Sequence, residues 1–125
     1  MNITWEALTI DAADPVELAH WWAETLGWHV VEADPAGTQV ENSSGGSPSL
    51  FFIPVSDHKV TKNRLHLDVL AEDYAGAVEG LMARGAQRVD IGQPKDAGWV
   101  VMQVPEGNEF CVLEPTDEQA RCNSP

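Results

Sequence analysis

Apolar and polar positions in this chain alternate in short runs that twice give way to a helical period. Thr4 to Ile10 alternates with period two, which predicts a strand with Trp5, Ala7 and Thr9 on one face and Leu8 and Ile10 on the other. Asp14-Pro15 then marks a helix start. An aspartate caps free N–H groups there, and proline at the first helical position gives up a donor that would be unpaired anyway. Leu18, Trp21, Trp22 and Leu26 recur at helical spacing as an apolar stripe that reads as core packing, and Gly27 is placed to end the helix. Strands are predicted from Trp28 to Glu32, Thr38 to Glu41 and Leu50 to Ile53, with a turn at Asp34-Pro35-Ala36-Gly37. The Gly/Ser/Pro-rich stretch from Asn42 to Pro48 suits either a lid or a long hairpin connection.

The second half runs through the same order. Leu65 to Leu70 predicts a strand, and Tyr74, Val78, Leu81 and Met82 predict a helix stopped at Gly85. Ala86 to Ile91 predicts a further strand, and Gln93 to Gly98 a turn. Trp99 to Val104 and Phe110 to Leu113 form a predicted hairpin around Pro105 to Glu109. Ala7-Leu8-Thr9-Ile10 aligns with His66-Leu67-Asp68-Val69 at an offset of 59 residues, and Asp14 falls on Asp73 at that same offset. Leu26-Gly27-Trp28 faces Arg84-Gly85-Ala86 one deletion later. Such weak, long-period self-similarity indicates a duplicated module, here βαβββ twice, and a duplicated sheet tends to enclose a cavity between its halves. The expected organisation is one α+β domain over 1–118, with module one at about 1–57, module two at about 64–115, and a polar tail at 119–125.

Composition narrows the partners. The 125 residues carry seven basic and 20 acidic side chains, a formal charge of −13. That balance repels phosphate backbones and anionic lipid, so neither nucleic acid nor a membrane surface is an expected partner. Solubility is the plain explanation of the charge, and attraction of a cationic ligand the sharper one. No apolar run approaches the roughly 20 residues of a membrane span. The start Met1 to Glu6 lacks the basic and apolar segments of a signal peptide. Cys111, in a strand-like run, and Cys122, in the tail, make no disulfide framework, which points to a reducing, cytoplasmic setting.

Leu65-His66-Leu67-Asp68-Val69, Gly98-Trp99-Val100-Val101-Met102 and Pro105-Glu106-Gly107-Asn108-Glu109-Phe110-Cys111, set in the βαβββ repeat, resemble the vicinal oxygen chelate superfamily. That superfamily includes glyoxalase I, extradiol dioxygenases and bleomycin-resistance proteins. The Asp14-Pro15 start, Trp21-Trp22 and Leu26-Gly27-Trp28 look like its compact glyoxalase-like group. The resemblance implies two modules forming an open, curved mixed sheet around a cavity, and often a homodimer. It does not by itself fix an activity, because one fold hosts many chemistries.

Metal-dependent members of the superfamily carry four ligands, one near the first and one near the last strand of each module. The resemblance places His66 at the module-two first-strand position and Cys111 where a Glu is usual. Module one offers Ala7 and the apolar run Leu50-Phe51-Phe52-Ile53. A catalytic divalent site generally takes three protein ligands, so the chain is expected to work without metal or other cofactor. A His66–Cys111 pair alone would hold zinc weakly, and a divalent metal is the minority reading.

Alternation sets His66 and Asp68 on one strand face, with His66 as general base or polar anchor and Asp68 as its orienting partner. Next-but-one strand residues lie about 6–7 Å apart at Cβ, so a water bridge between them is expected ahead of a direct but strained hydrogen bond. Trp5, Phe52, Trp99 and Cys111 are expected to line the cavity, and the resemblance implies that His58 and Lys59 lie near its mouth, where they would meet an anionic group. Cys111 has no basic neighbour in its strand and reads as an inert buried thiol rather than a nucleophile. Three functions stay open at this point: a metal-free glyoxalase-like binder or lyase/isomerase-type enzyme acting through His66, a drug-sequestering resistance protein, and a metal-dependent lyase or dioxygenase.

Overall fold

The computed structural model describes residues 1–89 and 98–115, so the predicted strand end at Ile91, the turn from Gln93 and the polar tail lie outside the described residues. The chain divides into two compact units, Met1–His58 and Lys59–Pro125. In the first, β1 (Ala7–Ala12), α1 (Pro15–Leu26), β2 (His29–Asp34), β3 (Gly37–Glu41) and β4 (Ser49–Pro54) follow one another. In the second the order is β5 (Leu67–Leu70), α2 (Tyr74–Ala83), β6 (Gln87–Arg88), β7 (Trp99–Gln103) and β8 (Glu109–Leu113). Each unit is a four-stranded mixed sheet, β1-β4-β3-β2 in one and β5-β8-β7-β6 in the other. The first and last strands of a module pair in parallel, and the remaining pairs are antiparallel. Among the described residues, no helix is long and apolar enough to cross a membrane.

The two helices begin alike because both begin with a capping aspartate. Asp14 accepts a hydrogen bond from the Glu17 N–H, and Asp73 from the Gly76 N–H, each at 3.1 Å. Either contact satisfies one of the donors a first turn leaves free. Gly27 ends α1 in the left-handed region, at φ 69°, and the Trp28 N–H returns to the Ala23 carbonyl at 2.9 Å. The β7–β8 hairpin turns on Gly107, at φ 101°, and this turn sets the pairing of Gln103 with Glu109.

Register assigns every strand residue to a face. In module one Leu8, Leu50 and Val40 share a face with Ile10, Phe52 and Thr38. Phe52, Val40 and Thr38 are fully buried there, and α1 packs against β3 and β4. Phe52 therefore belongs to the core under α1 and not to the opposite face, where it was expected. The aromatic residue on that other face is Phe51, in line with Thr9 and Gln39. In module two, Leu67, Val69, Phe110, Val112, Met102 and Val100 form the helix-side face, with α2 against β8. Phe110, Met102 and Val112 are at most 1% exposed.

Two element starts differ from expectation. β1 opens at Ala7, so Trp5 lies ahead of the sheet, exposed, with its indole N–H donating to the Ala7 carbonyl at 3.3 Å. β5 opens at Leu67, which leaves His66 just outside the regular ladder. Phe52→Ala is expected to lower unfolding free energy by about 3–5 kcal/mol, a buried-aromatic truncation. Trp5→Ala should change it by less than about 0.5 kcal/mol, as exposed positions do. Urea denaturation of the two variants checks both figures.

Candidate functional site

The face of the module-two sheet opposite α2 carries Asp68, Trp99 and Cys111, with His66 in contact with Asp68. Asp68 on β5 stands beside Cys111 on β8, and Cys111 beside Val101 on β7. One step along, Leu70, Leu113 and Trp99 form the next row. Cys111 and Val101 are buried, Trp99 is half-buried, and Asp68 and His66 are exposed. The result is an apolar floor with two titratable side chains standing on it.

Those two side chains touch. His66 Nε2 lies 3.2 Å from Asp68 Oδ1, a direct contact where a water bridge was expected. The strand spacing that argued for water applies to residues within a regular ladder. His66 precedes the first paired residue of β5, so its ring is free of that constraint. Beneath the pair, the Cys111 thiol hydrogen-bonds the same carboxylate. Burial pushes the thiol pKa up, and the Asp68 charge and hydrogen bond push it further, while the Lys62 charge pulls the other way without offsetting them. Cys111 is thus a protonated, weakly nucleophilic thiol at neutral pH. The donor atoms of His66, Asp68 and Cys111 all lie within 4.8 Å of one another. The carboxylate sits in the middle of this chain of contacts.

A second polar cluster, unforeseen in the sequence, lies at the start of β8. Glu109 is only 9% exposed. Lys59 Nζ donates to its Oε2 at 2.6 Å, and the Asn63 N–H to its Oε1 at 2.7 Å. Burial alone would raise the Glu109 pKa, but the Asn63 N–H and the Lys59 hydrogen bond and charge outweigh it and hold the carboxyl below its ordinary value. This clasp ties the connector residues Lys59 and Asn63 to the start of β8, within the second unit. Lys59 was expected to meet an anionic ligand, yet its charge is already engaged by Glu109. His58 is exposed at the end of the first unit. Two-residue spacing from Cys111 was the one sequence signal for Glu109, since it sets both on the same face.

Elsewhere, His20 and His29 line an open groove of about 570 Å³ on module one, together with Glu24 and Trp28. The Asn42–Pro48 stretch is tied by its own hydrogen bonds. Asn42 Oδ1 accepts from the Ser44 N–H and hydroxyl, and the Ser43 hydroxyl donates to the Gly27 carbonyl.

The model of the glyoxalase-like domain family matches residues 7–113, nearly the whole described chain. The chain belongs to that family. Solved structures share the fold of this glyoxalase-like domain. A glyoxalase/bleomycin resistance protein/dioxygenase family enzyme from Burkholderia phytofirmans PsJN superposes with a TM-score of 0.67 at 17% identity, covering 90% of this chain and 98% of the other. TnmS3, an antibiotic binding protein from Streptomyces sp. CB03234, gives 0.61 at 18% identity, covering 93% and 99%. TioX from Micromonospora sp. ML1 gives 0.56 at 15% identity, covering 89% and 98%. No curated protein matches the glyoxalase-like domain in sequence.

The four-donor metal pattern of the superfamily does not fit this glyoxalase-like domain. Its module-one positions are held by Ala7 and by β4 around Phe51, none of which offers a donor side chain.

Two outcomes follow from the electrostatics. Asp68→Asn removes the charge that disfavours the thiolate, so the pH midpoint for Cys111 alkylation should move down toward the usual cysteine value. An unchanged midpoint, measured with Cys122 replaced by Ser, would show that the carboxylate does not act on the thiol. Glu109, whose folded pKa is depressed, contributes stability above its unfolded value near 4.5, and that contribution disappears as pH falls through the lower folded value. Glu109→Gln should therefore cost about 2 kcal/mol at neutral pH, as losing a charged hydrogen-bond partner does. The cost should shrink in acid, which thermal melts across pH would reveal.

Proposed function

We propose that this protein binds a small molecule against the open face of the module-two sheet, with His66 as polar anchor and, where chemistry follows, as general base. The observation that carries the reading is the direct His66–Asp68 contact above the buried Cys111. With Nε2 against the carboxylate, Nδ1 of a neutral ring stays available to accept a proton or hydrogen bond. Trp99 and Leu70 on the same face offer apolar area beside that polar pair, the usual make-up of a small-molecule site. A lyase or isomerase step would need only proton transfer at the imidazole, so the reading calls for no metal or cofactor.

Drug sequestration without turnover is the second reading. It is favoured by the charge of −13, which attracts cationic compounds, and by the fold shared with TnmS3. The same charge speaks against nucleic-acid partners, and the two cysteines accord with a cytoplasmic protein. A homodimer goes with either reading.

The test is calorimetric screening of aromatic and cationic compounds against wild type, His66→Ala and Asp68→Asn. Anchoring predicts that His66→Ala weakens a bound compound about 10-fold or more, one charged hydrogen bond. Product formation lost in His66→Ala with binding retained supports the enzyme, and binding with no product supports sequestration. Compounds that bind equally well to wild type and His66→Ala would remove His66 from the site.

A further inference from the structure

We propose that His66, Asp68 and Cys111 form a binding site for one soft divalent ion of the zinc class, built wholly within module two. The superfamily pattern draws donors from both modules. Here the module-one positions are empty of donors, and Asp68, absent from that pattern, completes a set of three. The sequence alone offered only a weak imidazole–thiol pair, because Asp68 was not expected to reach the same point.

Three observations converge on this site. The first is geometry. Bond lengths of about 2.0–2.3 Å to nitrogen, oxygen and sulfur in a tetrahedral shell set donor atoms roughly 3.3–3.8 Å apart. His66 Nε2 and Asp68 Oδ1 already stand 3.2 Å apart, and all three donors fall within 4.8 Å. An ångström or so of side-chain adjustment closes the set, and two of the three side chains are exposed and free to make it.

The second is donor chemistry. One imidazole, one carboxylate and one thiolate suit zinc, cobalt or cadmium and disfavour magnesium and calcium, which take oxygen shells. A dication balances the carboxylate and the thiolate once the thiol proton has left to solvent.

The third is placement. The sulfur lies in the floor, 7% exposed, while the other two donors stand above it on the solvent side. An ion seated among them keeps its fourth position outward, the arrangement of three protein ligands with one open site. The ion would occupy the ring nitrogen that faces Asp68, but the site does not depend on the small-molecule reading, and either can fail alone.

Cobalt(II) is the probe, titrated into full-length protein carrying Cys122→Ser so that Cys111 is the only thiol. The expected result is one cobalt per chain with a near-ultraviolet thiolate-to-cobalt charge-transfer band, bleached when zinc is added. Cys111→Ser should abolish the band. His66→Ala and Asp68→Asn should each weaken cobalt binding by more than the about 10-fold that lesser, outer-shell changes cost. Far-ultraviolet circular dichroism on every variant separates loss of a ligand from loss of the fold. Absence of the band in the Cys122→Ser protein overturns the proposal, as does a band that survives Cys111→Ser. Unchanged affinity in both His66→Ala and Asp68→Asn overturns it as well.

Discussion

Everything on the open face of module two depends on the parallel pairing of β5 with β8. Forty-odd residues of chain separate Asp68 from Cys111, yet the ladder sets them side by side. Parallel partners cannot be joined by a tight turn, so the intervening helix and two strands are the crossover this pairing demands. The helix then covers one face and thereby decides which row of side chains is left for chemistry. Module one repeats the arrangement with β1 and β4 and sets Thr9 beside Phe51, a pair with no titratable group. One topology thus yields a row with titratable side chains in one half and a row without them in the other.

Much of this was legible in the chain. The capping aspartates, the glycine stops and the βαβββ order follow from local chemistry that tertiary contacts reinforce. The register keeps Asp68, Trp99 and Cys111 on one face of the module-two sheet, as period-two alternation implies. Phe51 and Phe52 are both aromatic, and alternation alone does not say which of the two lies under a helix; the fold buries Phe52 there. Trp5 falls ahead of β1 because an alternating run does not announce where pairing begins. The His66–Asp68 contact was hidden for a related reason: it exists only because the ladder starts one residue later.

Lys59 and Glu109 show a different limit. Fifty residues lie between them, and no local pattern connects a lysine in a polar connector to an acid at the head of a strand. Each looks like an ordinary surface charge until the fold brings them to 2.6 Å. The pairing also engages one of only seven basic residues in a chain with 20 acidic ones. In so acidic a chain, the placement of each cation carries unusual weight, and Lys62, near enough to act on Cys111, is another such case.

Glu109 has a counterpart worth setting beside it. Ser49 opens β4 as Glu109 opens β8, and both are buried polar residues. Ser49 is held through its backbone, its N–H bonding the Glu6 carbonyl at 3.1 Å, while Glu109 is held through an ionised side chain. The two copies of the module therefore close with fasteners of different kinds, one indifferent to protons and one dependent on their absence. Acidity is consequently a reagent that distinguishes two halves which look alike in outline.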